Sequence, residues 1–98
     1  MAMLHIIRSS GYSNNALGQC LNMALPQDSI LLMDDGCYNL SHLLLLDALE
    51  DKPEISVYFI KLHANARAQN NMNSRFMATT LTEVITLLFK HYNSITWS

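Results

Sequence analysis

A run of four apolar residues, Ile30-Leu31-Leu32-Met33, cut off at once by Asp34-Asp35-Gly36-Cys37, constrains this chain more than any other stretch. An apolar run this short, ended by turn residues, reads as a strand buried on both faces. Such a strand must be covered from above and below, which in a small domain means helices on both sides of a sheet. In parallel α/β sheets, ligands bind in the crevice outside the carboxyl ends of the strands. The break after Met33 therefore puts two carboxylates and a thiol where chemistry is expected.

The rest of the chain repeats the alternation of strand and helix. Met3 to Ile7 reads as a first buried strand, and Ser13 or Asn14 can cap a helix that carries Ala16, Leu17, Cys20, Leu21 and Ala24 on one face. After the central strand, Asn39 is the expected cap of a helix from Leu40 to Glu50. Its four leucines, Leu43 to Leu46, span about 300° of helix circumference, so at least one must point away from the sheet. Ile55 to Ile60 is β-branched and aromatic, hence a third strand. A short helix over Ala64 to Gln69 is expected next, then an asparagine-rich loop and a fourth strand from Arg75 to Ala78. Thr80-Leu81-Thr82-Glu83 matches a capping box and opens a helix to about His91, with Leu81, Val84, Ile85 and Leu88 as its expected buried stripe. Lys90 and His91 in its last turn suit the helix dipole. Ser94 to Trp97 is expected to add an edge strand. The pattern predicts a single α/β domain over residues 1–98: three layers, α/β/α, around a mostly parallel sheet of four or five strands.

Only 14% of the 98 residues are charged, while half are hydrophobic. A domain of this size has much surface and little interior, so the shortage of charge leaves apolar groups outside and points to a subunit of a stable complex. The net charge is −2 and the six basic residues are scattered, which argues against direct nucleic-acid binding, since that needs a basic stripe to neutralise phosphates. No apolar run approaches the ~20 residues that span a bilayer, and no targeting segment is recognisable, so a cytoplasmic location is expected. Two cysteines without a secretory context are expected to be free thiols.

Cys37 is open to two readings. A helix amino terminus would favour its thiolate by roughly 0.3–1 kcal/mol, but Asp34 and Asp35 oppose it through like-charge repulsion. Cys20, on an apolar helix face, reads first as a small core hydrophobe; a sulfur-carrying role would need that face exposed. Asp34 and Asp35 leave a strand in opposite directions and are poorly placed to share an ion; the expected role of Asp35-Gly36 is to shape the turn. His5 reads as a hydrogen-bonded core residue. Neither His42 nor His63 has a metal-ligand spacing to a cysteine or carboxylate. No metal or cofactor is expected, and the residues alone give no complete catalytic set.

Three segments taken together resemble the DsrH/TusB family: Met3-Leu4-His5 followed by Arg8-Ser9, the apolar strand ending in Asp35-Gly36, and Phe89-Lys90-His91 with Trp97 beyond. The resemblance implies a three-layer fold and a heterohexamer, two copies each of three related subunits. Its partners would be C-type and D-type sulfur-relay subunits, with upstream and downstream persulfide carriers reached through the complex. In the TusBCD branch the relay serves 2-thiolation of the wobble uridine of certain tRNAs; in the DsrEFH branch it serves sulfur oxidation. The D/E-type subunit carries its active cysteine after the third strand, where this chain has about Ile60. That departure implies an accessory, non-catalytic subunit. DsrH-type members tend to carry a cysteine in the first helix, which makes Cys20 the candidate sulfur acceptor and Cys37 the weaker one, since Cys37 matches no usual cysteine after the Asp-Gly pair.

Overall fold

The computed structural model describes residues 2–69, 73–91 and 93–97. Along the chain the elements are β1 (Met3–Ile7), α1 (Ala16–Met23), β2 (Ser29–Leu32), a 3-10 segment (Asp34–Ser41), α2 (Leu43–Asp51), β3 (Ser56–Ile60), α3 (Lys61–Ala66), β4 (Phe76–Thr79), α4 (Leu81–Lys90) and β5 (Asn93–Trp97). All five strands are parallel, in the order β4-β3-β2-β1-β5. The fold is α/β with helices on both sides of the sheet. The expected asparagine-rich loop falls partly on residues 70–72, outside the described residues.

The order explains the layers. From β1 to β4 the chain steps one way across the sheet, then returns from β4 at one edge to β5 at the other. Right-handed crossovers place the helices of the outward steps on one face and the returning helix on the opposite face. Leu17 and Cys20 of α1 and Leu45 and Leu49 of α2 accordingly share a core with Ile30 and Leu32. Leu31, pointing the other way from the same strand, meets Leu87 of α4 together with Leu4 and Ile60. β2 is buried along its whole length, as a strand covered from both sides must be.

Three local expectations are corrected. Asn39 caps no helix: the chain after Met33 coils into the 3-10 segment, and α2 starts at Leu43 with His42 as its cap, Nδ1 accepting from Leu44 N at 3.1 Å. Asn39 is instead fully buried; its Oδ1 accepts from Gly11 N at 2.7 Å and its Nδ2 donates to Ser9 O at 3.0 Å, which fixes the loop after β1. The short third helix begins at Lys61, directly after β3.

The third correction concerns α4. The capping box forms, with Thr80 Oγ1 accepting from Glu83 N at 3.2 Å, and His91 Nδ1 lies 2.6 Å from the Leu87 carbonyl it bonds. The inward side is Leu87 and half-buried Val84, whereas Leu81, Ile85 and Leu88 of the expected stripe are 53%, 57% and 41% exposed. Phe89 beside them is 87% exposed. Apolar residues surround most of this helix, so periodicity does not choose the side that meets the sheet. In the leucine run, Leu45 is buried and Leu46 packs at the margin of the core, while Leu43 and Leu44 face outward.

Candidate functional site

The turn that ends β2 joins the carboxyl ends of three strands. Gly36 is required there by close approach: a Cβ would stand 2.0 Å from the Ile7 carbonyl oxygen of β1. Asp34 takes a left-handed backbone conformation, φ 51°, which a short polar residue tolerates better than most. The two carboxylates then diverge. Asp34 Oδ2 accepts from Arg8 Nε and Nη2, both at 2.8 Å, at the end of β1. Asp35 Oδ1 accepts from Arg67 Nε, also at 2.8 Å, beyond α3. His63 Nδ1 accepts the backbone N–H of Asp34 at 3.0 Å, which leaves Nε2 to carry the ring proton. Two arginines answer two aspartates, and the cluster carries no net charge to attract an ion. Among the described residues, no group of three or more histidine, cysteine, aspartate or glutamate side chains could hold a metal.

Cys37 lies directly beneath this turn, fully buried, its thiol directed at the carbonyls of Leu32 (3.6 Å) and Ile60 (3.9 Å). Burial pushes the thiol up to about 11, and Arg67 only partly opposes it. The balance between a helix dipole and two aspartates is therefore secondary; loss of water decides the protonation state. Cys20 is also fully buried, within the apolar face of α1. Burial, aided by nearby Asp28 and opposed by Lys52, pushes its thiol up to about 12. At neutral pH both residues are held as thiols and not thiolates. Both are free and both are sealed from solvent. The sulfur at either position behaves as core.

At the opposite end of the sheet, His5 is the hydrogen-bonded core residue expected, while its partners Asp28 and Trp97 escape sequence reasoning. His5 is 2% exposed and lies between two partners. Trp97 Nε1, which can only donate, gives its proton to His5 Nδ1 at 3.1 Å. The ring proton is therefore on Nε2, donated to Asp28 Oδ2 at 2.8 Å. Asp28 also accepts the backbone N–H groups of Met3 and Leu25, each at 3.0 Å. Burial alone would favour the neutral acid, but these hydrogen bonds outweigh it and hold the carboxyl below the usual range. Lys52 completes this end of the molecule, donating to the carbonyls of Leu21 (3.1 Å) and Ala24 (2.8 Å) and so capping α1. The network ties β1, the approach to β2 and β5 into one unit, and it unites Met3, His5 and Trp97, residues at opposite ends of the sequence. A clue was available: Asp28 directly precedes a buried strand with no helix start to cap.

Comparison with known proteins follows the same lines. The solution structure of protein Tm0979 from Thermotoga maritima is similar, with a TM-score of 0.64 and 23% identity over 92% of this chain and 93% of that one. The crystal structure of the ychN protein from E. coli is similar with a TM-score of 0.77 and 15% identity over 99% of this chain and all of that one. At these identities the likeness concerns the fold. No curated protein matches the sequence. The family described as DsrH like protein matches residues 9–94, a span that runs from the loop after β1 into β5. The chain belongs to the DsrH-like protein family.

Proposed function

We propose that this chain is an accessory subunit of a cytoplasmic sulfur-relay complex, contributing assembly surface and no sulfur-carrying thiol of its own. Family membership supports a sulfur-relay-related role. The observation that carries the accessory reading is the contrast between two sealed thiols and an outer surface rich in exposed Leu, Ile and Phe. Related C-type and D-type subunits are the partners we assign, in a heterohexamer that passes persulfide from an upstream carrier to a downstream one for 2-thiolation of the tRNA wobble uridine. Leu43 and Leu44, exposed beside the His42 cap, supply one contact to those subunits. No helix among the described residues is long and apolar enough to cross a membrane.

The test is co-expression with the genomic neighbours. The expected result is a stable complex containing this chain, with Leu43→Glu weakening its retention, and wobble-uridine thiolation lost when the gene is deleted. A chain that stays monomeric beside its neighbours overturns the reading. Intact thiolation with impaired sulfur oxidation would move it to the DsrEFH-type branch. A Cys20 acceptor in that branch would require assembly to uncover a thiol that is sealed in the subunit, and would show a mass gain of about 32 Da after a persulfide donor, abolished in Cys20→Ser.

A further inference from the structure

Two histidines hold the ends of the 3-10 segment, and both do so by accepting a backbone N–H on Nδ1. His63 accepts from Asp34 N at 3.0 Å at its start, and His42 accepts from Leu44 N at 3.1 Å just beyond its end. An imidazole nitrogen accepts only while it carries no proton, so both bonds are open to acid. The two sites then differ. The titratable group facing His42 is the Tyr12 phenol, whose ring lies 4.4 Å from the imidazole. Among the described residues, no carboxylate comes within ion-pairing distance of His42. His63 Nδ1 has a second group of Asp34 within reach, the carboxylate Oδ1 at 3.6 Å. Arg8 occupies the other oxygen, Oδ2, and Oδ1 accepts no hydrogen bond among the described residues. The remaining charges around the ring are Asp35 and Arg67, which hold one another at 2.8 Å, with the buried Cys37 thiol beneath.

We propose that His63 and Asp34 form a pH-operated switch at the carboxyl end of β2, in which one nitrogen serves the backbone of Asp34 at high pH and its carboxylate at low pH. The switch goes beyond the sulfur-relay reading and does not depend on it. The neutral ring ties down the N–H of a residue held at φ 51°, a conformation that residues other than glycine seldom keep without support. A proton taken from solvent onto Nδ1 turns that acceptor into a donor. Nδ1–H then faces the Asp34 N–H, two donors in opposition, while an acceptor of opposite charge stands at 3.6 Å. The ring exchanges the N–H for Oδ1, and Asp34, released from its support, leaves the left-handed region. Arg8 keeps its hold on Oδ2, so the side chain stays at the turn while the backbone moves. Charge changes with it. Two arginines and two aspartates balance at this edge at high pH, and the imidazolium adds one positive charge at low pH. His42 has no alternative partner of this kind, so its protonation removes a cap and switches nothing.

The test is nuclear magnetic resonance of the full chain from about pH 8 to about pH 5, the range in which histidines change charge. The ring nitrogen shifts of His63 report its proton, and the coupling between the amide and α protons of Asp34 reports φ. In wild type the coupling is expected to change with pH, with the same midpoint as the His63 ring. His63→Asn offers a side-chain oxygen that accepts the N–H and takes up no proton, and its Asp34 coupling is expected to keep the high-pH value throughout. His63→Phe has neither acceptor nor charge and is expected to show the released coupling at every pH. A wild-type coupling that stays constant while the ring titrates overturns the switch, as does one that follows the His42 ring instead. A pH-dependent coupling in folded His63→Asn also overturns it, and so does a folded His63→Phe that keeps the high-pH value. Should neither variant fold, the wild-type midpoints decide alone, since any mismatch between Asp34 and the His63 ring contradicts the swap. None of these spectra reads sulfur transfer or complex formation, so the switch can fall with the relay reading left standing.

Discussion

The two faces of one sheet behave as different materials. Under α1 and α2 lies a continuous core that takes in residues from every helix but α4 and from four of the five strands, with Trp97 of the fifth packed at its margin. Under α4 lie Leu4, Leu31, Ile60 and Leu87, fringed by half-buried Ile6, Met33, Tyr58 and Val84. The first face closes on itself and encloses both cysteines. The second leaves its helix apolar on the outside. A 98-residue chain has too little interior to complete both, and the difference shows where its stability is made within the subunit and where apolar surface stays uncovered.

The sharpest way to break this comparison is to cut the same side chain from each face. Leu45→Ala under the closed face is expected to cost about 4 kcal/mol, and Leu87→Ala under the open one about 2 kcal/mol, read by urea denaturation of the isolated chain. Equal losses would mean that the two faces are packed alike. His5→Phe comes next, at about 3 kcal/mol, because it leaves the buried Asp28 carboxylate without its side-chain partner; near-UV circular dichroism should report the freed Trp97 as well.

The pH dependence follows from Asp28. Its carboxyl is held below the usual range in the folded chain, so the unfolded chain binds the proton more readily. The stability it contributes is fully present above the unfolded value, about 3.9, and is lost as pH falls through the lower folded one. Asp28→Asn should therefore give a flatter acid limb than wild type in melting temperature against pH. The smallest effect belongs to the open face. Leu81→Gln is expected to change the stability of the isolated subunit by no more than about 0.5 kcal/mol, although the sequence pattern places Leu81 in a buried stripe.

How far the sequence was legible depended on range. The alternation of apolar strands and helices, the face of α1 and the capping box at Thr80 all rest on neighbours within a turn or two. The structure agrees at each. Asn39 and His42 exchanged roles because a buried asparagine and a capping asparagine look identical in sequence; what distinguishes them is a loop 28 residues away. The Trp97–His5 bond joins residues 92 positions apart, beyond any periodicity. In α4 the pattern was misleading for a physical reason: the helix carries apolar residues on its inner and outer sides alike, and only the sheet beneath it tells inner from outer. The thiols were legible as positions, and their burial only as fold.

The closed and open faces make one joint claim: this subunit assembles through its surface and keeps its sulfur atoms out of the chemistry. Native mass spectrometry of the chain co-expressed with its genomic neighbours, after incubation with a persulfide donor, tests both halves in one spectrum. The expected spectrum has this chain riding in the complex while the gain of about 32 Da appears on a partner subunit alone. A monomeric chain, or a 32 Da gain on Cys20 or Cys37, would contradict it.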